Sequence, residues 1–261
     1  MKKPLITVVS TSLNSDRYIR KAIESVLIQT YPNLEYLVID GGSQDETLEI
    51  LKSYGSKITW VSEKDQGVYD ALNKGFRMAR GEVLTWLDSD NFYASNSVIE
   101  GVAQQFFQDE KLDIVVADTE TRFSDGRKSA FNIPPVDLSF EMLLNQGNKL
   151  VPEGVFFKKA LFKKTGGFNV KYKLLADYEL WLKMFSLKPK FKKLDFVTGV
   201  FNIRRDALLR KDPFLAWRET YLIGVTYRWS WLKRLHFHLR YFIERLRFFL
   251  ALVWKKIINK K

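Results

Sequence analysis

The chain contains no cysteine among its 261 residues, so it builds no disulfide framework and offers no thiolate to a metal. That absence fits a reducing compartment. Only two histidines occur, His236 and His238, and both read as surface residues of the tail and not as metal ligands. No run of about 18 apolar residues exists, so no helix clearly spans a bilayer. The basic start Met1-Lys2-Lys3-Pro4 precedes an apolar run too short for the hydrophobic region of a signal peptide. Internal repeats and low-complexity segments are also missing. What is present is a 46% hydrophobic composition, enough for a sizeable core in one large domain or one domain with an appendage.

The net charge of +12 is unevenly placed. Residues 204–261 carry 15 Lys/Arg against 4 Asp/Glu, whereas residues 1–203 carry 27 against 26. The basicity therefore belongs to the tail, which is expected to meet something anionic. In that tail Trp217, Tyr221, Trp229, Trp231, Phe237, Tyr241, Phe242, Phe248, Phe249 and Trp254 interleave with Lys and Arg. Leu232, Leu235, Leu239, Phe242, Leu246, Phe249, Val253 and Ile257 recur at helical spacing. Such a helix lies in a membrane interface, with aromatics at headgroup depth and cations near anionic lipid.

The rest alternates strands and helices. Strands are expected at residues 5–10, 34–39, 58–61, 83–87, 114–117 and 131–133. Helices are expected at 16–29, with Asn14 or Ser15 as cap, and at 46–54, 68–79 and 174–186. A hairpin turn fits Asp125-Gly126. Alternation of this kind predicts an α/β fold with a mostly parallel sheet and flanking helices.

The most informative stretch is Gly81-Glu82-Val83-Leu84-Thr85-Trp86-Leu87-Asp88-Ser89-Asp90-Asn91. An apolar strand ends in two aspartates at positions i and i+2, which share one face if the chain stays extended. Asp88 and Asp90 then converge on one cation at the carboxyl end of a strand, where open α/β sheets bind ligands. Mg²⁺ or Mn²⁺ suits such oxygen donors. A bare Asp-x-Asp is close to what chance supplies, so its surroundings decide its worth.

Those surroundings are dense. Thr11-Ser12-Leu13-Asn14 ends the first strand. Residues 25–47 include Gln29-Thr30-Tyr31-Pro32-Asn33 and, after the second strand, Asp40-Gly41-Gly42-Ser43-Gln44-Asp45. With Glu63-Lys64-Asp65-Gln66-Gly67-Val68-Tyr69-Asp70-Ala71-Leu72-Asn73-Lys74-Gly75, this resembles the family 2 glycosyltransferases of the GT-A fold, of the bacterial cell-surface polysaccharide type. The resemblance covers about residues 4–205; residues 1–205 are taken as a GT-A domain and 206–261 as a C-terminal amphipathic helical membrane-association region. It implies that Thr11 and Asp40 contact the nucleotide, Asp40 at the base. It also implies that Asp65 approaches the base and Lys74 reaches phosphate.

By the same resemblance Asp90 binds a Mn²⁺ or Mg²⁺ ion on the nucleotide diphosphate, with Asp88 near the ribose or the metal's second side. Relatives often have a further aspartate where this chain has Asn91, which can still offer an oxygen. Asp177, in Leu175-Ala176-Asp177-Tyr178-Glu179-Leu180-Trp181, matches the catalytic base. Glu153, in Val151-Pro152-Glu153-Gly154, is a candidate for acceptor hydroxyls. Arg204 and Arg205 could help the leaving diphosphate.

The implied activity is inverting transfer of a sugar from a nucleotide diphosphate sugar, a UDP-sugar, to a lipid-linked or oligosaccharide acceptor in surface polysaccharide synthesis. The implied place is the cytoplasmic face of a bacterial inner membrane, as a peripheral protein, alone or as an oligomer. Two alternatives stay open. A sugar nucleotidyltransferase would share the sheet and carboxylates, but it announces itself with a Gly-rich basic loop where Thr11-Ser12-Leu13-Asn14-Ser15-Asp16 stands. A nucleic-acid binder would use the basic aromatic tail. Its cations are spread along an apolar helix and not set in a groove, so no nucleic acid is expected, and a salt-dependent gel shift discriminates.

Overall fold

Strand β1 (Ile6–Ser12) is buried at every position, as is nearly all of β2 (Leu34–Asp40), so both read as unbroken apolar runs of a sheet covered on both faces. The computed structural model describes residues 3–123, 129–203, 212 and 214–258, with side chains through 247. It forms two compact units, Met1–Ala207 and Leu208–Lys261.

In the first unit β1 and β2 are joined by α1 (Ile19–Leu27), which buries Ile19, Ala22, Ile23 and Val26 at helical spacing. Then follow α2 (Thr47–Ser53), β3 (Thr59–Ser62), α3 (Val68–Met78), β4 (Val83–Trp86), β5 (Phe92–Tyr93) and α4 (Val98–Gln108). The second half holds β6 (Ile114–Phe123), β7 (Ala130–Asn132), α5 (Phe140–Gln146), β8 (Val155–Lys158), α6 (Lys159–Thr165), α7 (Ala176–Ser186) and β9 (Phe191–Ile203). Helix α3 lies close on the sheet because Gly75 has no side chain: a Cβ there would stand 2.5 Å from Val9 Cγ1.

The sheet order is β3-β2-β1-β4-β8-β6-β9-β5, with β7 on β6. Strands β1 to β4 pair in parallel, as do β6 and β9. Strands β8, β7 and β5 run antiparallel to their neighbours, so parallel pairing dominates only the amino-terminal half. The chain winds outward from β1 to β3 and returns to β4 on the other edge of β1. That reversal leaves a crevice at the carboxyl ends of β1 and β4.

Two local expectations change. Helix α1 begins at Ile19 and has no side-chain cap. Asn14 and Ser15 are occupied in zipping two loops together: Asn14 N–H donates to Ser43 Oγ (2.8 Å), Asn14 Oδ1 accepts from Gln44 N–H (2.9 Å), and Ser15 N–H donates to Thr47 Oγ1 (2.8 Å). Strand β4 ends at Trp86, and Asp88 to Asn91 form a turn closed by Asn91 N–H to the Asp88 carbonyl (2.9 Å). The two aspartates therefore sit on a turn and not on extended chain, so alternation along a strand is not what relates them. The Asp125-Gly126 turn lies outside the described residues, although β6 and β7 pair antiparallel on either side of it.

In the second unit α8 (Leu215–Thr226) and α9 (Trp231–Ile258) pair through aromatic contacts. Trp217 meets Phe237 at 5.2 Å between ring centres, and Trp229 meets Phe237 at 5.3 Å. Trp229 covers Gly224, where any Cβ would clash with its ring. Leu232, Leu235, Leu239, Phe242 and Leu246 are exposed on α9. The side chains of Phe248, Phe249, Val253, Trp254 and Ile257 lie outside the described set. Among the described residues, no helix is long and apolar enough to cross a membrane.

Candidate functional site

The crevice gathers residues from five segments. From β1, Thr11 Oγ1 donates to Asp88 Oδ1 at 3.3 Å, joining the two strands that flank the topological reversal. From the same side, Ser89 Oγ donates to Ser15 Oγ at 2.9 Å and fixes the Asp88–Asn91 turn to the loop after β1.

Asp40, expected at the base, is fully buried at the end of β2. Its Oδ2 accepts from Gly42 N–H (3.0 Å), Ser43 N–H (2.9 Å) and Ser62 Oγ (2.7 Å), and its Oδ1 from Ser43 Oγ. Four donors of its own loop and β3 engage the carboxylate, so in this structure Asp40 shapes the floor of the crevice. Asp65 stands at the wall: a Cβ on Gly41 would lie 2.6 Å from its Oδ2, so the bare glycine is what lets the carboxylate close in.

Lys74, expected to reach phosphate, has its ammonium engaged by neighbours of its own segment. Its Nζ lies 3.0 Å from Glu63 and 3.7 Å from Asp70, and donates to the Lys64 carbonyl at 3.1 Å. The hydrogen bond to Glu63 holds its pKa above the usual lysine value. Lys74 thus braces the segment that carries Asp65.

Asp177 lies in the first turn of α7. Tyr69 and Asn148, neither of them read from the sequence as site residues, grip its two oxygens. Tyr69 Oη is 3.3 Å from Asp177 Oδ1 and 2.8 Å from the Leu174 carbonyl, so one hydroxyl hydrogen serves two acceptors. Asn148 Nδ2 donates to Oδ2 at 3.2 Å. Burial pushes the Asp177 carboxyl up to about 6, against the hydrogen bonds from the Tyr178 backbone, Tyr69 and Asn148. Burial and then the Asp177 charge hold Tyr69 well above its usual value, so its hydroxyl keeps its proton. Such a carboxyl is poised to exchange a proton near neutral pH.

One aromatic contact sets α7 against the strand that leads to the aspartates. Trp86, two residues before Asp88, stacks on Trp181, one helical turn after Asp177, with ring centres 5.4 Å apart. Both are buried. Asp88 also contributes, after Asp177, to the electrostatic field on Tyr69, which ties the two ends of the site together.

Glu153, expected to touch acceptor hydroxyls, is instead 0% exposed. It sits in a short 3₁₀ turn, Pro152–Gly154, and its Oε1 accepts from Asn91 Nδ2. Burial and then the Asp88 charge push this carboxyl well above the ordinary range, with Asp90 adding to the effect. Asp88 and Asp90 therefore set up negative potential at the turn, and Glu153 behind it is held toward its neutral form. Hard oxygen donors in such a field fit a divalent cation. Among the described residues no group of three or more His, Cys, Asp or Glu side chains could hold a metal ion. A cation on Asp90 and Asp88 would thus draw further ligands from diphosphate and water. Asn91 is 1% exposed and its Oδ1 accepts from Asn202 N–H at 2.8 Å, so its amide is turned into the protein toward β9. Arg204 and Arg205 lie outside the described residues.

The profile of the family described as Glycosyl transferase family 2 matches residues 7–174. An uncharacterized glycosyltransferase of Rickettsia prowazekii is 32% identical over 193 residues, which cover 70% of this chain and 59% of that protein. The chain thus spans about three fifths of that relative's length. A PGL/p-HBAD biosynthesis glycosyltransferase of Mycobacterium tuberculosis is 29% identical over 191 residues, covering 71% of this chain and 72% of that protein. Among solved structures, S. aureus TarS in complex with UDP-GlcNAc superposes with a TM-score of 0.68 at 20% identity, over 89% of this chain and 69% of that one. The mannosyltransferase PcManGT of Pyrobaculum calidifontis, in complex with GDP-Man and Mn²⁺, gives 0.66 at 17% identity, over 92% and 70%. These two likenesses establish the mixed α/β GT-A fold.

Proposed function

The chain belongs to glycosyltransferase family 2, and from that premise we propose that it transfers a sugar from a UDP-sugar to an acceptor hydroxyl with inversion at the anomeric carbon. The observation that carries the proposal is Asp177, a carboxylate with a pKa near 6 in a clamp of two neutral donors. A single displacement needs one base opposite the leaving group and no enzyme nucleophile.

In the proposed reaction the acceptor O–H donates to Asp177. As its oxygen bonds to the anomeric carbon, the proton passes to Asp177 and the bond to phosphate breaks, leaving its electrons on the diphosphate. Once protonated, Asp177 can donate to Tyr69 Oη, whose own hydrogen then rests on the Leu174 carbonyl. The clamp therefore suits both states of the base. Asp65 and Thr11 face the nucleotide, on a crevice wall and floor that Asp40 and Lys74 hold in shape. Asp90, with Asp88, is proposed to hold Mn²⁺ or Mg²⁺, which when bound offsets negative charge on the leaving diphosphate.

The donor is tested by thermal shift with UDP, GDP, UDP-GlcNAc and GDP-mannose in the presence of Mn²⁺. A ligand at a hundred times its Kd should raise the melting temperature by roughly 5–10 °C. Stabilisation by the uridine compounds alone supports the proposal; stabilisation by neither set removes it.

The acceptor is proposed to be a lipid-linked or oligosaccharide precursor of a bacterial surface polysaccharide. The proposed location is the cytoplasmic face of the inner membrane. The support is the basic tail and the exposed stripe Leu232, Leu235, Leu239, Phe242 and Leu246. Intact protein should float with phosphatidylglycerol vesicles at low salt, and Leu235→Glu with Leu239→Glu should leave it in the soluble fraction. Intact protein that stays behind under those conditions overturns the location.

A further inference from the structure

The turn that carries Asp90 is anchored from behind by a polar lock that no catalytic role explains. Asn91 is 1% exposed, and the orientation of its amide is fixed by chemistry. The Asn202 backbone N–H can only donate, so the atom facing it at 2.8 Å is Oδ1. Nδ2 is then left for Glu153 Oε1. Asn202 closes the circuit, since its side-chain Nδ2 donates to the Asp90 carbonyl.

The backbone that carries Glu153 is closely packed and fully buried. A Cβ on Gly199 would stand 2.5 Å from Glu153 Cβ, and one on Gly154 would stand 2.5 Å from the Ala117 carbonyl oxygen. Thr198 Oγ1 holds the Glu153 carbonyl at 2.8 Å. The turn is thus gripped between β6 and β9, with its carboxyl presented to the single donor on Asn91.

We propose that Asn91 and Glu153 are a matched amide–carboxyl pair that positions Asp90, and that Asn91 is a positioning residue and not a cation ligand. The pairing has a definite polarity. An aspartate at 91 would keep one oxygen for Asn202 N–H and turn the other onto Glu153 with no hydrogen of its own to give, so the two carboxyls would have to share a proton, and it would place a further negative charge beside Asp88 and Asp90. Glutamine at 153 would restore the missing donor. Asn–Glu and Asp–Gln therefore both pair a built-in donor with an acceptor, whereas Asp–Glu is joined only through a shared proton. The link to Asp90 rests on the donor site proposed above; the pairing itself does not.

The test compares wild type, Asn91→Asp, Glu153→Gln, the double variant and Asn202→Ala. The readouts are the urea midpoint and the affinity for UDP with Mn²⁺ by calorimetry. Asn91→Asp should lower the midpoint and weaken affinity by about 10–100-fold, the range for lost outer partners of a metal site. Glu153→Gln should change little, since its carbonyl can still accept from Asn91. The double variant should recover both readouts, and Asn202→Ala should lose affinity while the pair stays intact. Strictly additive midpoints in the double variant overturn the pairing, including the case where Asn91→Asp alone does not fold and the double variant does not either. A midpoint rescue with unchanged affinity in both Asn91→Asp and Asn202→Ala overturns the positioning of Asp90. If wild type binds no UDP, the donor reading falls, and the midpoints still decide the pairing.

Discussion

Asp177→Asn is expected to lower turnover by about 10²–10⁴-fold, the usual worth of a positioned general base, while nucleotide binding is retained. The substitution keeps shape and removes only the ability to accept the acceptor's proton. Its effect on stability should have the opposite sign to that on rate. Burial raises the folded pKa from the ordinary 3.8 to about 6. Between those values the folded protein binds more protons than the unfolded chain, so stability falls as pH rises through the window. Above it the cost of burying the charge is complete. Asparagine carries no such cost, which offsets the bond it loses to Asn148. At pH 7.5 the variant should melt at or above the wild-type temperature, and the difference should shrink below pH 5.

The same carboxyl predicts the pH profile. Wild-type turnover should fall on the acid side with a midpoint near 6, where Asp177 takes up its proton. Tyr69→Phe removes a hydrogen bond that favours the charged form, so its acid limb should move to higher pH. Full turnover in Asp177→Asn would end its assignment as the base. An acid limb unmoved in Tyr69→Phe would end the role given to the clamp.

How far these residues could be read beforehand varies with what holds them. Asp177, proposed as the base, stands out in the sequence because it lies in a contiguous segment, Leu175 to Trp181, with family spacing. Tyr69 and Asn148 were not, because they reach it from positions far away in sequence, on the first turn of α3 and on a loop after α5. Tyr69 does lie within the segment Glu63 to Gly75, two residues after Gly67, but nothing local marks its hydroxyl as a partner of Asp177. The strands β1, β2 and β4 announced themselves through unbroken apolar runs. Helix α4 carries Val98, Ile99, Val102, Ala103 and Phe106 at helical spacing, a periodicity visible in the sequence. Helices α5 and α6 span two turns each, too short for periodicity to separate from loop. Burial was the hardest property to infer. Nothing in Pro152-Glu153-Gly154 says that the carboxylate points inward; that follows from Gly199 on β9, which admits it. For Asp40 and Lys74 the structure adds hydrogen-bond and ion-pair partners, Ser62 and Glu63, that no sequence pattern names. The paired aspartates were placed together for a reason that fails, since the strand stops at Trp86 and a turn brings them round.

Asp90→Asn is the second large effect expected, a loss of about 10²–10³-fold in turnover, because a cation opposite a leaving diphosphate is worth several kcal/mol. Asp88→Asn should cost less. Asp88 Oδ1 already accepts from Thr11, and an asparagine there keeps a carbonyl oxygen for that bond. The two carboxylates also differ in what they do to the unliganded protein. Both raise the pKa of buried Glu153, so the three acids repel one another when no cation is present. Removing the Asp90 charge relieves part of that repulsion. The unliganded variant should therefore melt no lower than wild type, whereas Mn²⁺ with UDP should stabilise wild type and leave the variant almost unmoved. Chelation of wild type should reproduce the loss of turnover, and added Mn²⁺ or Mg²⁺ should restore it. Wild-type turnover in Asp90→Asn, at the same Mn²⁺ dependence, would take the metal away from this turn. A lower melting temperature together with normal turnover would make Asp90 a structural residue, held in place by Asn202 for the sake of the turn itself.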